Sequence, residues 1–180
     1  PSVKMLGLVG HRGSFDMRWT DLKGGTAFSR AACNGDIEVM RLLLARGADP
    51  KVVTEKGETA LLLLAGAGCP LGQAYIRSEK EITSALDLLV EELGMDVNAA
   101  TTEGITPVIC AVFKGDNFVV QYLVDHGARL DVKDAKGRSV ITWAQGVDAN
   151  GGQPPRPQPE TEKLLRELMA KQGIAVASAN

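Results

Sequence analysis

The chain has 180 residues, a formal net charge of −2, 44% hydrophobic residues and only 4% aromatic residues. That charge speaks against a general nucleic-acid binder, which needs a basic face to release counterions. No run reaches the ~18 apolar residues of a membrane helix, so no membrane insertion is expected.

Four Gly-x-Thr/Ser signals begin at Gly24, Gly57, Gly104 and Gly137, spaced by 33, 47 and 33 residues. The 47 is 33 plus a 14-residue insertion, and a fixed period in this range marks a repeat array. Residues 1–20 precede the first full unit. Met5, Leu6, Leu8 and Val9 read as the remnant of an earlier second helix, followed by a finger-like loop from Gly13 to Gly24. An array needs a polar face at each end. This end lacks one, so further repeats or another domain are expected before Pro1.

Residues 21–53 make the first predicted unit. Thr26 to Gly35 reads as a short helix, and Asp36 opens a second one, where its carboxylate suits the exposed amides and the dipole. Ile37, Met40, Leu43 and Leu44 share one face of that helix, and Gly47 stands where a left-handed residue is wanted after the last turn. Asp49 to Gly57 is rich in turn formers and reads as an extended finger.

Residues 54–100 make the second unit. Thr59 to Gly68 is almost wholly apolar, as for a helix buried between neighbours. An insertion at about 68–80 follows. The second helix then starts near Ser78 or Glu79 and ends at Gly94, one residue later than its siblings. Residues 101–133 match the first unit in register: Thr106 is expected to cap a helix opening on Pro107, and Asp116 opens the helix that ends at Gly127. Residues 134–173 make a capping unit with a Pro-rich insertion at about 147–159. Its last helix, from Glu160 to Gln172, has a narrow apolar stripe and a polar outside. Residues 174–180 are read as a flexible tail. The chain is thus an all-α array of finger, helix, turn, helix.

At Gly24, Thr26, Ala31, Ala32, Gly35, Leu42 to Leu44, Gly47, Ala48 and Asp49 the sequence resembles the ankyrin repeat family. It does so again at Thr106, Pro107, Ala111, Gly115, Leu123, Gly127 and Ala128. The likeness covers about residues 21–173 and implies an ankyrin-repeat solenoid of four repeats, two of them with insertions between their helices. The family's His after Thr-Pro-Leu is replaced by Ser29, Leu62, Ile109 and Thr142, so apolar packing is expected where that His would link repeats.

The resemblance also implies a protein-binding module that uses finger tips and the exposed side of first helices. Carried over by position, the tips are Leu22, Lys23, Glu55, Lys56, Glu58, Thr102, Glu103, Ile105, Lys136 and Arg138. The first-helix residues are Arg30, Phe113, Lys114 and Trp143. Trp19, Trp143 and Ile105 are the chosen anchors; Trp, Arg and Tyr are over-represented among residues that dominate binding energy. Tyr75, Ile76 and Arg77 in the first insertion form a secondary surface. The other reading of Trp19 and Trp143 is core or cap packing.

Enzyme chemistry finds little support. The alternative to a binding module is an enzyme or small-ligand protein using the insertion around Cys69. Gly66 to Gly72 resembles a phosphate loop faintly, but its glycines end a helix, where phosphate binding needs a helix to begin. Cys69 would need a neighbouring base, and His11 and His126 are the only histidines. Two distant histidines give no metal cluster, and no cofactor is expected. Cys33, Cys69 and Cys110 are odd in number and match no zinc spacing, which favours a reducing compartment. Pro154 to Pro159 is read as a stiff solvated loop in preference to a polyproline ligand. Residues 79–103 carry seven Asp/Glu against one Lys: a solvated acidic face, with a basic partner as the alternative.

Overall fold

The computed structural model describes residues 22–67, 78–147 and 156–174. They hold four helix pairs: α1 (Ala27–Asn34) with α2 (Ile37–Ala45), α3 (Ala60–Ala65) with α4 (Glu79–Asp87), α5 (Pro107–Lys114) with α6 (Asn117–Asp125), and α7 (Val140–Ala144) with α8 (Pro159–Lys171). The first helices stack in one row, α1 on α3, α3 on α5 and α5 on α7. Among the described residues the only bridge of strand type is Lys133 with Ser139. The fold is therefore all-α.

The row is built around α3. All six of its residues, Ala60 to Ala65, are buried, four of them leucines. Full burial of one leucine side chain is worth about 1.5–3 kcal/mol before entropy is charged. Leu62 and Ile109, which replace the polar residue of the resembling pattern, are both fully buried. Ser29 keeps a polar link instead, within its own helix, by donating to or accepting from Thr26 at 3.3 Å.

Helix starts follow the sequence with one correction. Thr26, Thr59 and Ser139 each accept a backbone N–H three residues on, at 3.3 Å. Asp36 and Asp116 do the same for α2 and α6 at 3.1 Å. Ser78 and Glu81 form a reciprocal capping box at the start of α4. Thr106 makes no such bond, and its hydroxyl is buried without a partner. Pro107 presets the first turn of α5, so that helix opens without the expected cap.

The extra residue before Gly94 is taken up inside the helix. Leu88–Glu92 forms a turn of π-helix in which Leu93 N–H donates to Leu88 C=O, five residues back. The bond that closes the helix end runs from Ala48 to Leu43 and from Ala128 to Leu123, but from Met95 to Leu89, one residue longer.

The acidic face of this helix is partly spent on its neighbours. Arg41 on α2 donates to Glu92 at 3.0 Å. On the other side Tyr122 of α6 donates to Asp87 at 2.7 Å, and His126 Nε2 lies 3.3 Å from Glu91. Asn98 adds a backbone tie, donating to Gly127 C=O at 3.0 Å and accepting Arg129 N–H at 2.9 Å. Burial first, and then the bond to Asp87, push the Tyr122 phenol above its ordinary value.

His126 caps α6, stacks on Tyr122 at 4.0 Å, and places Nδ1 2.8 Å from the Tyr122 carbonyl. That carbonyl, followed by Glu91 and Asp87, raises the imidazole above its ordinary value against a smaller opposing effect of burial. Folding therefore favours the protonated ring. Its contribution is complete below the unfolded value of about 6.5 and fades as pH rises through the higher folded value. Urea midpoints at pH 6.0 and 8.5 should show the chain losing stability on going up. His126→Gln should shrink that loss; an unchanged loss would assign it to other groups.

Candidate functional site

The fingers are joined by backbone. Glu55 N–H donates to Lys23 C=O at 2.8 Å, Thr102 N–H to Lys56 C=O at 3.4 Å, and Ala135 N–H to Glu103 C=O at 2.8 Å. Each bond links the second residue before a finger glycine to the first residue before the previous one. Side chains drop out of this register, so beside the glycine it excludes only proline at the donor position.

The glycines are what let neighbouring fingers approach. Gly104 has φ +74°, and a Cβ there would meet Ala135 N at 3.0 Å and Asp134 Cα at 3.1 Å. Gly137 has a similar φ of +76°, but a Cβ there would meet nothing within 4 Å.

Inside the three later fingers, one side chain three positions before the glycine holds the turn. Thr54 accepts Glu58 N–H at 3.1 Å, and Thr101 accepts Ile105 N–H at 3.2 Å. Asp134 accepts the Lys136 and Arg138 N–H groups, each at 2.9 Å. This position was not singled out by sequence reasoning, although Thr54, Thr101 and Asp134 all favour such local bonds.

The predicted site residues fall into three groups. Lys23, Glu55, Lys56, Thr102, Glu103 and Lys136 are exposed at the tips. Lys23 and Glu55 pair across adjacent fingers at 3.0 Å, with both side chains more than half exposed, so the pair adds little stability. Arg30, Glu58, Ile105, Phe113 and Lys114 are half-buried. Glu58 accepts the Thr54 hydroxyl at 2.9 Å, Ile105 packs against the core, and the Lys114 stem runs over Gly66.

The third group is a correction. Leu22 is buried against Cys33 and Leu63, and so is not a tip residue. Trp143, chosen as an anchor, is 5% exposed. Phe113 meets its ring edge-on at 5.5 Å, and the Arg138 guanidinium lies over it at 4.4 Å. Trp143 Nε1–H donates to Asp134 at 3.1 Å, and Arg138 pairs with the same carboxylate at 2.6 Å. Trp143 and Arg138 therefore staple the last finger to its helix. The indole found an apolar neighbour in the preceding unit and a buried acceptor within its own, which outweighed exposure. Burial alone would raise the Asp134 carboxyl. The Arg138 backbone and guanidinium and the Lys136 N–H outweigh it and hold the group below its ordinary value.

Trp19, Tyr75, Ile76, Arg77 and Cys69 lie outside the described residues, as do the N-terminal helix remnant and residues 175–180. Among the described residues no group of three or more His, Cys, Asp or Glu side chains is placed to hold a metal ion. No helix there is long and apolar enough to cross a membrane. A shallow groove between α6 and α8, lined by Phe118, Gln121, Lys163, Leu164 and others, lies on the second helices, away from the fingers.

Comparison with known proteins finds the ankyrin repeat in two stretches of this chain. The family model for the ankyrin repeat matches residues 23–55 and 103–135. The chain is 32% identical over 110 residues to the inactive serine/threonine-protein kinase TEX14 of Bos taurus, covering 61% of this chain and 6% of that protein. It is 27% identical over 131 residues to the putative ankyrin repeat protein L86 of Acanthamoeba polyphaga mimivirus, covering 68% and 22% respectively. It is 26% identical over 129 residues to the neurogenic locus notch homolog protein 1 of Xenopus tropicalis, covering 72% and 5%. The chain thus spans less than a quarter of the length of these relatives.

Two outcomes are expected. Gly137→Ala should cost about 1–2 kcal/mol, the price of a left-handed backbone with a Cβ. Gly104→Ala should cost more, because the next finger's backbone must also move; equal urea midpoints would contradict this. Arg138→Ala should destabilise by about 2–3 kcal/mol, since it removes a charge-assisted bond from a buried carboxylate. Because Asp134 titrates low in the folded chain, its contribution is present above about pH 4. That part of the Arg138→Ala effect should shrink as pH falls further.

Proposed function

From the premise that this chain is an ankyrin-repeat solenoid, we propose that it is a non-enzymatic protein-interaction module. It docks a partner protein on its finger tips and on the exposed side of its first helices. One observation carries this reading. Lys23, Lys56 and Glu103 supply the carbonyls of the finger ladder, while Glu55, Thr102 and Ala135 supply the amides. The backbone of each tip is thus committed to structure and its side chain to solvent. A surface held in register by main chain is pre-organised, so a partner loses little free energy in ordering it.

Arg30, Phe113 and Lys114 continue this surface onto the first helices, and Ile105 offers a half-buried apolar step between them. Charges of both signs alternate along the tips, which suits a polar protein surface better than a phosphate backbone. The mimivirus relative is itself named a putative ankyrin repeat protein, which fits the same class of use, though the whole activity of that protein concerns a much longer chain.

The test is affinity capture with three forms of the chain. The finger variant combines Lys23→Ala, Lys56→Ala, Glu103→Ala and Lys136→Ala. The control combines Glu160→Ala, Lys163→Ala and Glu167→Ala on α8. A protein captured by the wild type and the control, but bound at least tenfold more weakly by the finger variant, would support the reading. Capture undiminished by the finger changes would overturn it.

A further inference from the structure

The second helices carry a row of residues that looks back toward the preceding pair. In each helix let the reference be the residue whose carbonyl closes the C-terminal turn: Leu43, Leu89, Leu123 and Met169. Four residues earlier stand Val39, Ala85, Val119 and Leu165. One residue earlier stand Leu42, Leu88, Tyr122 and Leu168. Ala85, Val119 and Leu165 are 0–1% exposed, whereas Val39 is 39% exposed. Leu88 and Leu168 are 1% and 4% exposed and Tyr122 reaches back to Asp87, whereas Leu42 is 54% exposed. Where a described pair precedes, both positions are covered. In α2 both are open.

The opposite row, three residues before the reference, behaves in the complementary way. Met40, Leu86 and Val120 are fully buried, and each lies in a pair that another pair follows. In α8 the same position is Arg166, paired with Glu162 at 2.6 Å. The far end of the stack is therefore finished with a polar side chain, and the near end is left apolar.

The chain itself contains a segment that fits the open face. Residues 2–13 read Ser-Val-Lys-Met-Leu-Gly-Leu-Val-Gly-His-Arg-Gly. With Gly13 set on Gly47, Ser2 falls on the cap position of Asp36. Leu6 then falls on the forward-facing position of Met40, and Val9 on the position of Leu43. Gly13 to Gly24 is 11 residues, against 10 from Gly47 to Gly57 and from Gly127 to Gly137. The connection is thus long enough to return to Leu22, where the described first finger begins.

We propose that residues 2–13 dock on α2 as an additional second helix, with Leu6 covering Val39 and Leu42. Gly7 and Gly10 make this segment a poor helix on its own, and twelve residues are too few to hold one in water. Its order is then conditional on the α2 face, and that dependence is what an experiment can read.

The test is amide hydrogen exchange on the whole chain, with light scattering to report its oligomeric state. Amides of residues 5–12 should exchange at least tenfold more slowly than unprotected peptide, in a monomer. Leu42→Asp and Leu6→Asp should each return them to unprotected rates while α5 and α7 stay protected. Leu6 lies outside the described stack, so that variant carries the test if Leu42→Asp unfolds the chain. Unprotected exchange in the wild type would overturn the proposal, as would protection that survives both changes. A dimer dissociated by Leu42→Asp would overturn it too, by assigning the face to a second copy.

Discussion

The backbone bond between adjacent fingers is the constraint on which the rest of this structure depends. It occurs three times in the same register, between Lys23 and Glu55, Lys56 and Thr102, and Glu103 and Ala135. It fixes the spacing of the fingers, and through them the placement of α1, α3, α5 and α7 in one row. At Gly24 and Gly104 it also needs glycine on the acceptor side of the approach, where a Cβ would meet Glu55 N at 3.1 Å and Ala135 N at 3.0 Å. The 33-residue period is the trace of this bond in the sequence. Each unit must return the chain to the same main-chain donor and acceptor, whatever its side chains do.

That division explains which features were legible beforehand. The helix pairs, their starts at Asp36, Asp116 and Ser78, and the left-handed Gly47 and Gly127 depend on local chemistry and could be read directly. The exposed tips could be read too, because they are counted from the glycine. Trp143, Arg138 and Leu22 could not. Whether an indole faces solvent or core depends on partners distant in sequence, here Phe113 from another unit as well as Asp134 from its own. Thr106 failed for a different reason: a capping residue and an N1 proline are alternative ways to open a helix, and the sequence contains both.

The second helices divide the labour differently. The first helices meet through leucines, valines and alanines, whereas the second helices also trade polar groups across the stack. Arg41 to Glu92, Tyr122 to Asp87, His126 to Glu91 and Thr161 to Asn117 all cross from one pair to another. The acid run that looked like a free surface in sequence is therefore in part an adhesive between pairs. A basic partner would have to compete with Arg41 and His126 for it, which leaves the finger tips as the side chains with fewer prior commitments.

The π-turn at Leu88–Glu92 separates two measures of length that usually agree. Counted in residues, α4 and its extension are out of frame with α2 and α6. Counted by the finger bonds they are in step: the finger after Gly94 meets Lys56 in the same register as its neighbours. A wider coil has hidden one residue from the stack. Two chains of this type can therefore differ by a single insertion inside a helix and still superpose from end to end, and aligning them correctly requires a gap placed where helices are ordinarily assumed to be continuous.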